Sequence, residues 1–213
     1  VEKDPRYKVF ILTGAGERAF ASGGDLRKFA GLKTRETVGM MALRMRVILD
    51  RFEALPAWTI AAVNGGAYGG GCETALACDF RLASEHATFG FTQANFAVPP
   101  GWGGLTRLVE TVGKPTALRW LADASVVDAH TALGMGLIHQ VVPGRDLASG
   151  VRAFTSRMLR HDRRLITALK SGMRGAHELS RREAIQAELE PFVGCWLSDE
   201  HMIRIESFLE RTK

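Results

Sequence analysis

The stretch Trp58-Thr59-Ile60-Ala61-Ala62-Val63-Asn64-Gly65-Gly66-Ala67-Tyr68-Gly69-Gly70-Gly71-Cys72-Glu73 decides how this chain is read. Its first six residues form an almost unbroken apolar run, the pattern of a strand buried on both faces. The run enters a glycine-rich turn, and the turn opens a short helix expected over Gly70 to Ala77. Glycine lets the backbone come close to a ligand because no Cβ intervenes. A helix start presents N–H groups without intrahelical partners and the positive end of the macrodipole. Glu73 puts one carboxylate in that first turn. Backbone donors beside an acid or base suit a reaction in which negative charge develops on an oxygen.

Upstream, Val9-Phe10-Ile11-Leu12 is a short β-rich run that ends at Thr13-Gly14-Ala15-Gly16. A polar loop follows, Glu17-Arg18-Ala19-Phe20-Ala21-Ser22-Gly23-Gly24-Asp25, in which Asp25 is read as a cap that holds the Gly24 turn. From Glu36 to Leu55 apolar residues recur at Val38, Met41, Ala42, Met45, Ile48, Leu49, Phe52 and Leu55. That three-and-four spacing predicts an amphipathic helix, with Thr34 as N-cap and Pro56 as stop. Downstream, Phe80–Ala83 and Ala87–Phe91 read as short strands. Strands alternating with helices imply mainly parallel pairing with crossover helices outside.

Past Pro99-Pro100-Gly101 the pattern turns helical, over Gly104–Val112, Pro115–Ala122, Asp128–Gly134 and Asp146 to Lys213, with one more strand at Gly136–Val142. Pro191 is expected to kink or divide the last helical stretch. The reading is an α/β core over residues 1–145 with a helical region of the same domain over 146–213.

Composition bounds the function. A chain of 213 residues with 46% hydrophobic and 24% charged residues fits one domain with a substantial core. No apolar run reaches a membrane span, and Val1-Glu2-Lys3-Asp4 is no signal peptide. Cys72, Cys78 and Cys195 form no CxxC pair and are odd in number, which predicts a reduced, cytoplasmic chain with Cys72 as a small packing residue. The net charge is +5, but the basic residues are scattered and aromatics are only 8%, so nucleic-acid binding is not expected. His86, His130, His139, His161, His177 and His201 show no metal-ligand spacing, and no metal is expected. A GxSxG elbow is absent, and Gly14-Ala15-Gly16 lacks the third glycine of a dinucleotide fingerprint.

Four stretches, in order, carry a family resemblance: Val9–Leu26 (VFILTGAGERAFASGGDL), Ile60–Asp79 (IAAVNGGAYGGGCETALACD), Pro99–Leu108 (PPGWGGLTRL) and Ala124–Pro143 (ASVVDAHTALGMGLIHQVVP). The chain resembles the crotonase superfamily, the enoyl-CoA hydratase/isomerase group. The resemblance implies a spiral of ββα units followed by C-terminal helices, assembled as a homotrimer or homohexamer. It implies an acyl-CoA thioester substrate, with coenzyme A as part of the substrate and no other cofactor. It implies that two backbone N–H groups stabilise a thioester enolate, and these fall at Gly24 and Gly70. The first acid of the family's hydratases falls at Glu73. The second falls at Gln93, and an amide cannot carry a proton. Phe91 is expected at the acyl pocket, and Trp102, where the family has a small residue between glycines, is either core filling or a wall of that pocket. The family's first strand and helix, with their asparagine-rich motif, have no counterpart in this sequence, and part of the coenzyme A site is expected to be missing with them unless the chain continues before Val1.

Three readings follow. Glu73 moves a proton in hydration or isomerisation of an enoyl-CoA, with Gln93 orienting water in the hydration case. Alternatively, loss of carbon dioxide from a malonyl-type acyl-CoA gives the same enolate, and a neutral Gln93 hydrogen-bonds the departing carboxylate. The third is a non-catalytic homologue that binds RNA or a partner, against which the retention of Gly70 and Glu73 argues.

Overall fold

The structure is a computed structural model and describes residues 1–143 and 146–211. Strands β1 (Val9–Thr13) and β2 (Ala19–Ala21) precede helices α1 (Leu26–Phe29) and α2 (Arg35–Glu53). Strands β3 (Trp58–Val63) and β4 (Gly66–Tyr68) precede α3 (Gly70–Leu76). Strands β5 (Phe80–Ser84) and β6 (Thr88–Gly90) precede a 3-10 turn at Thr92–Phe96, then α4 (Gly104–Val112) and α5 (Lys114–Asp123). Then come β7 (Val126–Asp128), α6 (Ala129–Gly134) and β8 (Gln140–Val142). The chain continues as α7 (Leu147–Thr155), a 3-10 turn at Met158–Arg160, α8 (Arg163–Glu178), α9 (Arg181–Ala187), α10 (Leu189–Trp196) and α11 (Asp199–Arg211).

Each ββα turn gives one strand to each of two sheets, ordered β1-β3-β5-β8 and β2-β4-β6-β7. The pairs β3–β5, β5–β8, β2–β4 and β4–β6 are parallel, and β6–β7 is antiparallel. This is the expected ββα spiral. Parallel neighbours require crossover connections, and the helices supply them.

By contacts the chain forms two compact units. The larger spans Phe10–Glu53 and Thr59–Thr155. Its core gathers Ala61 and Val63 of β3, Cys72, Ala75 and Leu76 of α3, Phe89, Phe91, Leu108 and Trp120. Thr59 through Val63 are all buried, so β3 is covered on both faces, as its apolar run predicts. The one hydroxyl in that run is satisfied by Asp79: Thr59 N and Oγ1 donate to Asp79 Oδ2 at 2.8 and 2.9 Å. The smaller unit spans Val1–Val9, Ala54–Trp58 and the described residues from Ser156 on. In it Arg163 of α8 donates to the carbonyls of Val1, Glu2 and Asp4, and Ser180 and Glu183 form a capping box at α9. Arg145, Thr212 and Lys213, at the ends of the two segments read from the sequence, lie outside the described residues.

Several boundaries moved. Helix α2 ends at Glu53 rather than Leu55, because the residue before a proline is pushed out of the helical region. Thr34 does cap it, accepting from Thr37 N at 3.2 Å. The strand expected over Gly136–Val142 begins only at Gln140, after a turn in which Gly136 has φ +78°. The last helical stretch divides at Glu188, which leaves Pro191 in the first turn of α10, where no hydrogen bond is lost. No helix among the described residues is long and apolar enough to cross a membrane.

Candidate active site

Glu73 lies one turn into α3 and is 2% exposed. A buried carboxylate requires hydrogen-bond partners, and here it has three. Its Oε2 accepts from Trp102 N at 2.7 Å and Gly104 N at 2.8 Å. Both amides lie at the start of α4, which begins after Gly103 in a left-handed conformation (φ +90°). Its Oε1 accepts from Gln93 Nε2 at 3.1 Å. The structure thus joins Glu73 and Gln93 directly, 20 residues apart in sequence.

Gln93 has a second feature. Its Oε1 is buried and has no hydrogen-bond partner among the described residues. Exchanging the amide's O and N would turn oxygen toward an oxygen of Glu73, so the contact fixes the orientation. The amide therefore offers an unfilled acceptor beside the acid.

The glycines come together from two ββα turns. A Cβ on Gly23 would stand 2.7 Å from Gly70 N, so the Gly23–Gly24 turn lies against the start of α3. Among the described residues neither Gly24 N nor Gly70 N donates to any acceptor. Aromatic rings cover both positions. A Cβ on Gly70 would meet Trp102 Cζ3 at 2.1 Å, and one on Gly24 would meet Phe29 Cε2 at 2.0 Å. No other residue fits under those rings. Trp102 and Phe29 belong to one apolar cluster with Leu49, Ala77, Met41, Met45 and Phe52. Asp25 caps α1 as expected, accepting from Arg27 N and Lys28 N at 3.1 and 3.3 Å, and so fixes the end of the Gly24 turn.

Of the two residues considered for the acyl pocket, Trp102 is 9% exposed and stands against Gly70. Phe91 is placed differently. It is fully buried in the main core, its ring edge-on to Trp120 at 5.1 Å, and packing accounts for it. Cys72 behaves as the packing residue predicted from the sequence. Burial pushes its thiol up to about 12, and Sγ donates to Ala67 O at 3.0 Å.

Sequence reading missed Phe29, which sits in a loop-like stretch without periodicity. It also missed Asn64. That side chain accepts from Gly14 N at 2.9 Å and donates to Gly16 O at 2.6 Å, tying the end of β3 to the loop that leads into β2. The conspicuous position of Asn64, between β3 and the glycine turn, was the available signal.

Known proteins resemble this chain in sequence and in fold. The family model "Enoyl-CoA hydratase/isomerase" matches residues 1–213. Crotonyl-CoA hydratase of Syntrophomonas wolfei is 32% identical over 213 residues, covering 100% of this chain and 82% of that protein. Ethylmalonyl-CoA decarboxylase of Bos taurus is 33% identical over 192 residues, covering 89% of this chain and 62% of that protein. The crystal structure of enoyl-CoA hydratase from Bacillus anthracis superposes with a TM-score of 0.92 at 31% identity, over 99% of this chain and 81% of that one. With a family model matched from end to end and a shared spiral of ββα turns, the chain belongs to the enoyl-CoA hydratase/isomerase family of the crotonase superfamily.

Proposed function

We propose that this enzyme adds water to a short-chain enoyl-CoA thioester, with Glu73 as the only proton-carrying residue and Gln93 orienting the water. The thioester oxygen lies between Gly24 N and Gly70 N, which stabilise the enolate that forms when water attacks the β-carbon. Glu73 takes a proton from that water, and the α-carbon then receives one. One carboxylate serves as base and then as acid. Coenzyme A enters only as part of the substrate.

The observation that carries this reading is the orientation of Gln93. Its amide nitrogen donates to Glu73, and its oxygen is the buried side-chain atom left without a partner among the described residues. An acceptor suits an O–H of water. It repels a carboxylate, which decarboxylation of a malonyl-type thioester would place there. Isomerisation uses the same base and oxyanion donors and leaves the Gln93 acceptor idle. The hydratases among the relatives support the reading, and the decarboxylase relative names its rival.

The assembly that fits the family is a homotrimer or homohexamer. Exposed apolar side chains on α9 to α11, among them Phe192, Trp196, Leu197 and Ile203, support it. The compartment proposed is the cytoplasm, in keeping with three free cysteines.

The test is a panel of CoA thioesters incubated with the enzyme and read by mass spectrometry. Hydration adds the mass of water, decarboxylation removes that of carbon dioxide, and isomerisation changes nothing. Gain of water on a short enoyl-CoA supports the reading. Loss of carbon dioxide from an alkylmalonyl-CoA without any hydration overturns it.

A further inference from the structure

Arg107 lies on α4, three residues past Gly104. Its guanidinium is aimed at two carboxylates of α2 and at one backbone oxygen. Nε and Nη2 donate to the two oxygens of Glu53 at 2.7 and 2.9 Å, a bidentate pair. Nη2 also reaches Asp50 Oδ1 at 2.8 Å, and Nη1 donates to Trp102 O at 3.0 Å. The Arg107 side chain is 11% exposed, against 66% for Asp50 and 41% for Glu53. The hydrogen bond to Glu53, the largest influence, holds its pKa above the ordinary arginine value.

The loop contacted is the one that grips Glu73. Trp102 N donates to Glu73 Oε2, and Trp102 O accepts from Arg107. Arg46 of α2 holds the preceding peptide, its Nε donating to Gly101 O at 3.1 Å. That carbonyl shares a peptide unit with the Trp102 N–H, and a charged donor on the oxygen polarises the N–H toward its own acceptor. Arg46, Asp50 and Glu53 recur at i, i+4 and i+7, one face of α2.

We propose that Arg107, held by Asp50 and Glu53, is a positioning residue that keeps the Trp102 and Gly104 amides on Glu73 Oε2 and thereby sets the aim of that carboxylate. The proposal rests on the reading of Glu73 as the base. Removing the guanidinium frees the loop and weakens two N–H donors to the carboxylate. The carboxylate then loses its fixed aim, and kcat falls while substrate binding is retained.

The experiment compares wild type, Arg107→Met, Arg107→Lys, Asp50→Asn/Glu53→Gln and Glu73→Gln with the thioester that the panel identifies. Arg107→Met keeps the stem and loses the charge. Its kcat is expected to fall roughly ten- to a hundredfold, the scale of a misplaced catalytic group. Its KM should change by less than about threefold. Arg107→Lys should restore part of kcat. If Arg107→Met does not fold, the double variant on exposed positions of α2 carries the test, with a smaller change in the same direction. The proposal is overturned if a folded Arg107→Met, or the double variant in its place, keeps wild-type kcat. It is equally overturned if kcat falls only in step with the folded fraction. Either result beside a dead Glu73→Gln leaves the base assignment standing, whereas an active Glu73→Gln removes that assignment itself.

Discussion

Gln93 Nε2 donates to Glu73 Oε1 at 3.1 Å, and the amide oxygen is left without a partner among the described residues. In a two-acid site the corresponding group offers a proton. An amide offers only alignment, and on the proposed reading the proton traffic falls to Glu73.

Glu73→Gln keeps the shape of the site and removes the proton carrier proposed for it. Turnover is expected to fall by at least about a hundredfold, the contribution typical of a positioned general base. Binding of a CoA thioester should change little, because the oxyanion donors are backbone groups. Steady-state kinetics and calorimetric titration with an unreactive thioester check both halves. Near wild-type kcat would take Glu73 out of the chemistry.

Gly70→Ala drives a Cβ into the Trp102 indole, where three ring atoms stand within 2.7 Å of it. The ring or the start of α3 must shift. A loss of about a hundred- to a thousandfold in kcat is expected, as for removal of one oxyanion donor. The melting temperature should fall as well. Adding Trp102→Ala relieves the clash, and the double variant should melt closer to the Trp102→Ala single variant than additivity predicts.

Trp102→Ala alone tests the pocket wall. Truncation of a buried indole costs about 3–5 kcal/mol, read as thermal melting. If Trp102 closes the acyl end, kcat/KM shifts toward longer chains in the variant. Lower stability with an unchanged chain-length profile would make Trp102 a packing residue over Gly70 and nothing more.

The strand–turn–helix from Trp58 to Ala77 was legible because two periods collide there. A continuous apolar run needs burial on both faces, and the glycines that follow cannot extend it. The carboxylate at Glu73 stood out for the same reason. Three of the four strands of the second sheet were not legible. Strands β2, β4 and β7 are three residues each, too short to show alternation, and β2 and β4 sit in stretches that read as polar loop and glycine turn. They are strands because partners far along the chain pair with them, Ala19 with Gly66 and Gly90 with Val126. The amides that hold Glu73 were hidden likewise, since Gly104 lies 31 residues away and a backbone N–H leaves no trace in residue type. Gln93 was found only through the family resemblance. Its orientation needed coordinates.

Cys72 gives a pH signature of packing. Its thiol, ordinarily at 9.0, is pushed up to about 12 by burial. The unfolded chain therefore releases this proton first as pH rises. The stabilisation is complete below 9.0 and declines from there toward about 12. Cys72→Ala removes that dependence. The melting-temperature gap between wild type and variant should be widest near about pH 8 and narrow by about pH 10.5. A gap that stays constant would mean that the folded protein tolerates the thiolate.

Water addition by a single carboxylate is tested most directly by one paired assay, the wild type and Gln93→Glu on a short enoyl-CoA and on an alkylmalonyl-CoA. The expected result is that the wild type hydrates the enoyl-CoA and leaves the alkylmalonyl-CoA intact. Gln93→Glu, by restoring a second proton carrier beside Glu73, should then hydrate faster. The contradicting result is a wild type that releases carbon dioxide from the alkylmalonyl-CoA without hydrating the enoyl-CoA, and a Gln93→Glu variant in which that release is depressed.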